Sequence, residues 1–181
     1  MSTGIDVGVR ILRTEHVHLA ALLSTVGGSR LFVRGICASW QLGQDQTDVM
    51  ELLTSELVSN AITASGVTVP RPVHGLPYAD LQLIGLRLLA LDDSFVIEVW
   101  DASPRPPRLM AQADLVEHGR GLQLVDALSI RWGYYYAPVG GKVVWCQLRR
   151  DDIGETDSSD DEAEFATIQA ALKVHTWNDQ A

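Results

Sequence analysis

Cysteine is scarce in this sequence, which contains only Cys37 and Cys146. The two lack the spacing of a metal site and fall in regularly patterned segments, so we predict reduced thiols in the core. Long apolar runs are missing as well: the most apolar stretch, LQLIGLRLLAL, is too short to span a bilayer and contains Arg87. The first residues, MSTGIDVGVRILRTEH, lack the charged start and apolar run of a signal peptide. We therefore expect a cytoplasmic protein.

Charge is distributed unevenly along the chain, which has a net charge of −9. Residues 151–181 carry nine acidic side chains and one basic side chain, or −8, which leaves −1 for the first 150 residues. No basic stripe with interleaved aromatic residues is present, so we expect no direct nucleic-acid partner. We predict one domain over residues 1–150, and an acidic, disordered linker within 151–181 that could be followed by a C-terminal helix.

Hydrophobic periodicity predicts the elements of the domain. The run VHLAALL is strand-like, and a helix through GGSRLFVRGICASW would turn Leu31, Phe32 and Ile36 inward. A second helix opens at Thr47 and stops near Gly66, before a loop rich in proline and glycine.

Two hairpins and a short helix are predicted in the second half of the domain. Strand-like runs LQLIGLRLLAL and SFVIEVWD are joined by DDS, and IRWGYYYA and KVVWCQL are joined by PVGG. The helix LQLVDAL lies between these pairs, and AEFATIQAALKVH would form a last helix with Phe165, Ile168 and Leu172 on one side. The order predicts an α+β fold, a two-layer sandwich with helices on one face of a mainly antiparallel sheet.

Two polar residues are misplaced on the second helix, ELLTSELVSNAITAS. At roughly 100° per residue, Leu52, Leu53 and Leu57 form an apolar arc, and Thr54 and Val58 fall on the other side. Glu56 and Asn60 lie within the apolar arc, about 40° apart. Such groups are costly on an inward face, so they form a buried hydrogen-bonded pair or line a site. In a site, the amide oxygen suits Mg²⁺ and the carboxylate suits a base.

Two other segments carry polar or glycine signals. Asp101 ends the strand in VWDASPRPP, where it either caps a turn or accepts a hydrogen bond from an amine such as that of adenine. Gly119 and Gly121 flank Arg120 at the start of a helix in HGRGLQLVDAL. This pattern fits an ordinary helix start, or a turn in which backbone N–H groups and an arginine approach a phosphate.

Taken together and in this order, the three segments resemble the GHKL ATPase superfamily, which includes gyrase, histidine kinases and the mutL-type repair proteins. SELVSNAITASG, VWDASPRPP and GRGLQLVDALSIRWG…GGKVVW most resemble anti-sigma-factor serine/threonine kinases of actinobacterial, Streptomyces type. The resemblance covers about residues 20–148 and implies a Bergerat fold, ATP and Mg²⁺ as cofactors, and a mobile lid over about residues 102–118. It also implies phosphorylation of a STAS-type antagonist protein, sequestration of a sigma factor, and a homodimer.

The resemblance assigns a role to individual residues. It makes Glu56 the general base, Asn60 the Mg²⁺ ligand and Asp101 the acceptor of the adenine amino group. It places the lid residues Ser103 and Pro104 at the nucleotide, and lays the phosphates against the turn formed by Gly119, Arg120, Gly121 and Leu122.

The sequence departs from the family pattern at several places, two of which concern the nucleotide, and it leaves other functions open. Ala102, Ser103 and Pro104 stand where glycines are frequent, which stiffens the loop, and Val143 replaces a threonine, which would weaken nucleotide binding. The alternative function is a nucleotide-dependent interaction module without kinase activity. A detached histidine-kinase catalytic domain is less favoured, because His16 and His18 lie in a strand-like run and no helix with an exposed histidine is predicted before the domain.

Overall fold

The computed structural model describes residues 9–65, 82–107, 121–150 and 161–174. These contain five strands and four helices. The strands are β1 (Ile11–Ala20), β2 (Leu83–Leu91), β3 (Ser94–Asp101), β4 (Arg131–Tyr136) and β5 (Lys142–Arg149). The helices are α1 (Thr25–Ser39), α2 (Gln44–Ser65), α3 (Gly121–Leu128) and α4 (Asp161–Val174). The loop predicted after α2, most of the predicted lid and the predicted acidic linker lie outside the described residues.

The five strands form one antiparallel sheet in the order β1-β2-β3-β5-β4. Both predicted hairpins are confirmed: β2 pairs with β3, and β4 with β5. The alternation of the strands separates two faces of the sheet, which we call the near face, packed against α1 and α2, and the far face. The predicted α+β sandwich is confirmed.

Helix α1 packs on the near face through residues other than those predicted. Val33 and Cys37 are fully buried, whereas Leu31 is 67% exposed, so the inward prediction for Leu31 is wrong. Phe32 and Ile36 are partly buried against the core. The packing of α1 against α2 buries the side that contains Val33 and Cys37.

Helix α2 is covered on most of its circumference because it contacts α1, α3 and the sheet. Thr54 and Val58, placed on the outer side by periodicity, are 0% exposed, and Leu52, placed inside, is 39% exposed. The predicted apolar arc is therefore wrong at these three positions. The predicted existence of the helix is confirmed, with its start at Gln44 rather than Thr47.

The far face carries a second, smaller core beneath α4. Ile168 and Leu172 are buried there, and the ring of Phe165 lies 5.3 Å from that of Trp145, which confirms the predicted apolar side of α4. The two-layer sandwich thus gains a helix on its second face.

A buried ion pair lies under α4. Arg87 Nε donates to Glu98 Oε2, and both side chains are almost fully buried. Tyr135 Oη donates to Glu98 Oε1 at 2.9 Å, and Arg87 Nη2 donates to the carbonyl oxygen of Leu172 at 3.4 Å. Helix α4 thereby supplies a backbone acceptor to charges that the sheet alone would leave uncovered.

Both cysteine predictions are confirmed, because Cys37 and Cys146 are buried free thiols. Burial raises the pKa of Cys146 to about 12 and also raises the pKa of Cys37. Among the described residues, no helix has the length and apolar character needed to cross a membrane.

Candidate functional site

A cavity of about 430 Å³ lies between α2, the ends of β3 and β5, the segment after β3 and the start of α3. Its size falls in the range of small-molecule sites. Its apolar walls include Leu57, Ala61, Val99, Leu122 and Val144. Its polar lining includes Asn60, Thr63, Asp101, Arg105 and Lys142. An apolar slot with a few polar groups at its margins suits a flat, polar-edged ligand such as a base.

Asp101 and Lys142 form a buried ion pair on one wall. They are register partners across β3 and β5, and Lys142 Nζ lies 2.8 Å from Asp101 Oδ1, with side chains 3% and 1% exposed. The backbone N–H of Ser103 also donates to Oδ1, at 2.9 Å. Burial raises the pKa of Asp101 above its ordinary value, although Lys142 and the Ser103 N–H oppose that shift.

Gly141 makes this close pairing possible. Its φ is +73°, and a Cβ there would lie 2.1 Å from the carbonyl oxygen of Asp101. A side chain at residue 141 would therefore push the β4–β5 turn away from β3. The glycine fixes the distance between Lys142, the next residue, and Asp101.

Glu56 and Asn60 lie one turn apart on α2, against the first residue of α3. A Cβ on Gly121 would lie 2.7 Å from Glu56 Oε2 and 3.3 Å from Asn60 Nδ2. Asn60 Nδ2 is a buried donor without a hydrogen-bond partner, and Glu56 has no partner among the described residues either. The interpretation as a mutually satisfied buried pair is therefore not supported, and both groups are available to a ligand.

The structure brings most, but not all, of the predicted residues to this cavity. Asn60, Asp101 and Leu122 line it, and Glu56 and Gly121 lie beside Asn60. Ser103 and Pro104 are not in its lining: Ser103 instead holds Asp101 through its backbone N–H, and Pro104 is exposed. Gly119 and Arg120 lie outside the described residues.

Two cations of the cavity, Arg105 and Lys142, were not predicted from the sequence. No local signal marks Lys142, because only the pairing of β5 with β3 brings the start of β5 beside the end of β3. Val143, the departure expected to weaken nucleotide binding, belongs to the far-face core and is 0% exposed. Its side chain does not line the cavity, so the missing hydroxyl leaves the lining unchanged.

The side chains of the cavity fit a magnesium ion that is held mainly by phosphate oxygens and water. No group of three or more histidine, cysteine or acidic side chains that could hold a metal exists within residues 9–65, 82–107, 121–150 and 161–174. Asn60 offers one amide oxygen, and its Nδ2 makes no hydrogen bond in the described part of the chain. Mg²⁺ commonly takes one or two protein oxygens and completes its shell with phosphate oxygens and water.

Comparison with known proteins gives one match. Residues 19–147, which are 129 of the 181 residues, match the family model described as histidine kinase-like ATPase domain. The matched range contains every segment that lines the cavity, and α4 lies outside it. No curated protein matches the chain.

Proposed function

Since the chain belongs to the histidine kinase-like ATPase domain family, which binds ATP, typically with Mg²⁺, we propose that its cavity is the nucleotide site of a serine/threonine protein kinase. The kinase would act on a small antagonist protein of STAS type and hold a sigma factor, as in anti-sigma-factor kinases. Such regulation belongs in the cytoplasm and is compatible with a homodimer.

One observation carries the proposal: Asn60 and Asp101, from two separate segments, line one cavity, and Glu56 and Gly121 lie beside Asn60. The three segments that supply these residues lie far apart in the sequence. A ligand in the cavity would account for the unpartnered, buried Nδ2 of Asn60, which otherwise costs folding free energy.

The proposed chemistry uses the cavity from end to end. Asp101 would accept a hydrogen bond from the adenine amino group, and Asn60 would hold Mg²⁺, which neutralises charge on the phosphates. Glu56 would take the proton of a substrate hydroxyl. The hydroxyl oxygen would then bond to the γ-phosphorus while the bond between the γ-phosphorus and the leaving ADP breaks. Gly121 and Leu122, with Gly119 and Arg120 before them, would lie along the phosphates.

The second candidate is a nucleotide-dependent interaction module without transfer activity. It is favoured by the buried ion pair of Asp101 and Lys142, since a carboxylate already held by a cation can bind a base without any catalysis. The kinase and the module share the pocket and differ only in what Glu56 does.

Calorimetry of ATP with Mg²⁺ tests the site first. We expect Asp101→Asn and Asn60→Ala each to weaken binding by roughly ten-fold or more, the scale of a hydrogen bond to a charged group. Asp48→Asn, an exposed acid on the same helix, is the control and should bind as wild type does. Absence of ATP binding by the wild-type protein would refute the nucleotide site.

A phosphotransfer assay then separates the two candidates. With a serine-containing antagonist protein as acceptor, Glu56→Gln should abolish transfer and retain ATP binding. Binding of ATP without transfer by the wild-type chain would support the interaction module instead.

A further inference from the structure

We propose that Lys142 is a second base-recognition residue, whose ammonium group donates a hydrogen bond to adenine N1 while Asp101 accepts one from the neighbouring amino group. The inference rests on the proposed nucleotide site and adds a specificity-determining residue to it.

The donors of Lys142 are only partly used. Its Nζ donates to Asp101 Oδ1 at 2.8 Å and to the carbonyl oxygen of Ser103 at 3.4 Å. An ammonium group has three N–H donors, and these two contacts are the ones that it makes within the described residues. Lys142 is 3% exposed and lines the cavity, so a ligand there can satisfy the remaining donor.

The acceptors of Asp101 are also partly used, and on one oxygen only. Oδ1 accepts from Lys142 and from the Ser103 N–H, while Oδ2 has no partner in the described part of the chain. The pair therefore presents an acceptor, Oδ2, next to a donor, Nζ–H, at the margin of an apolar slot.

This order of acceptor and donor matches adenine, and it opposes guanine held in the same orientation. Adenine presents the amino group as a donor beside N1 as an acceptor, whereas guanine presents O6 as an acceptor beside N1–H as a donor. Asp101 and Lys142 cannot exchange places, because their strand register and the close approach at Gly141 fix them. The wall is thus preorganised for adenine.

A purely structural ion pair would not require this position. Such a pair is stable when all its donors and acceptors are satisfied within the protein, and here one donor and one oxygen are left at the cavity. A ligand that supplies both missing partners gains two charge-assisted hydrogen bonds at once.

The test compares ATP with 1-deaza-ATP, in which a C–H group replaces N1 and the amino group is retained. Calorimetry with Mg²⁺ should show the wild-type protein binding 1-deaza-ATP roughly ten-fold more weakly than ATP. In Lys142→Met the two nucleotides should bind with equal affinity, whatever the absolute affinity is, because the cycle isolates the contact to N1. Lys173→Met, an exposed lysine on α4, should keep the ten-fold difference.

Equal binding of the two nucleotides by the wild-type protein would overturn the inference, and so would a ten-fold difference that survives in Lys142→Met. If Lys142→Met fails to fold, as checked by its circular dichroism, equal binding of the two nucleotides by the wild-type protein still overturns the inference. A wild-type protein that binds neither nucleotide would refute the proposed site as well. Equal affinity for ATP and 1-deaza-ATP would refute the role of Lys142 and leave the proposed nucleotide site standing.

Discussion

If the chain is the kinase proposed above, Gly121→Ala would disturb its catalytic residues and leave the fold intact. The new Cβ would lie 2.7 Å from Glu56 Oε2 and 3.3 Å from Asn60 Nδ2. Carbon atoms make favourable contacts at about 3.5–4.0 Å, so the carboxylate must retreat by roughly 0.8–1.3 Å. Both contacted atoms are ends of side chains, which can move without shifting the backbone. Residue 121 is not among the positive-φ glycines, so alanine fits its backbone.

The expected magnitudes follow from these contacts. Alanine is favoured over glycine inside a helix by about 1 kcal/mol, and at the first position of α3 the gain is smaller, so the free energy of unfolding should rise slightly or stay unchanged. A displacement of about 1 Å at reacting groups costs on the order of 100-fold in rate. Phosphotransfer should therefore fall by roughly 10- to 100-fold in a protein that is as stable as wild type.

A matched glycine provides the control. Gly35 lies within α1, and a Cβ there has nothing within 4 Å. Gly35→Ala should raise the free energy of unfolding by up to about 1 kcal/mol and leave phosphotransfer unchanged. The reasoning is refuted if Gly121→Ala, measured by urea unfolding and single-turnover phosphotransfer, keeps wild-type activity, because Glu56 and Asn60 would then tolerate displacement.

Three further outcomes are expected. Glu98→Leu should lower the free energy of unfolding in urea by about 3–5 kcal/mol, because Arg87 is left buried without the Glu98 carboxylate. The double variant Arg87→Met, Glu98→Leu should recover most of that loss. Equal losses in the single and the double variant would contradict this reasoning. Neither Cys37 nor Cys146 should react with a thiol reagent at pH 8 in the native protein, since burial raises both pKa values, and two thiols per chain should react in denaturant. Burial also raises the pKa of Asp101, so ATP affinity should fall on acidification at a higher pH than an ordinary aspartate would give, with no such fall in Asp101→Asn. The contribution of Asp101 to the free energy of unfolding has the opposite pH dependence. Because its pKa is raised in the folded state, it stabilises the fold at pH values below its unfolded-state pKa, and that contribution is lost as pH rises through the folded-state pKa.

Local patterns predicted most elements because their signals are short-range. The turn residues DDS and PVGG, for example, place both hairpins directly. The faces of α2 could not be predicted in this way. Thr54 and Val58 are buried because three different elements cover the helix, which is a property of the assembled fold and not of its periodicity.

The candidate site divides along the same line. Glu56 and Asn60 could be identified because they break the pattern of their own helix, and Asp101 because it ends a strand before three prolines. Lys142 breaks no local pattern. It matters only because strand pairing joins it to a residue 41 positions away in the chain.

The cover that α4 places over Arg87 and Glu98 has a consequence for how such sequences diverge. The charges of Arg87 in β2 and Glu98 in β3 depend on a backbone acceptor in α4, a helix that lies outside the residues matched by the family model. A lineage that lost the helix would expose the pair and the apolar residues around it to solvent, and selection would then favour polar replacements across that face. We expect the charged pair and helix α4 to be gained and lost together among descendants of this protein, although some seventy residues separate Glu98 from Leu172 along the chain.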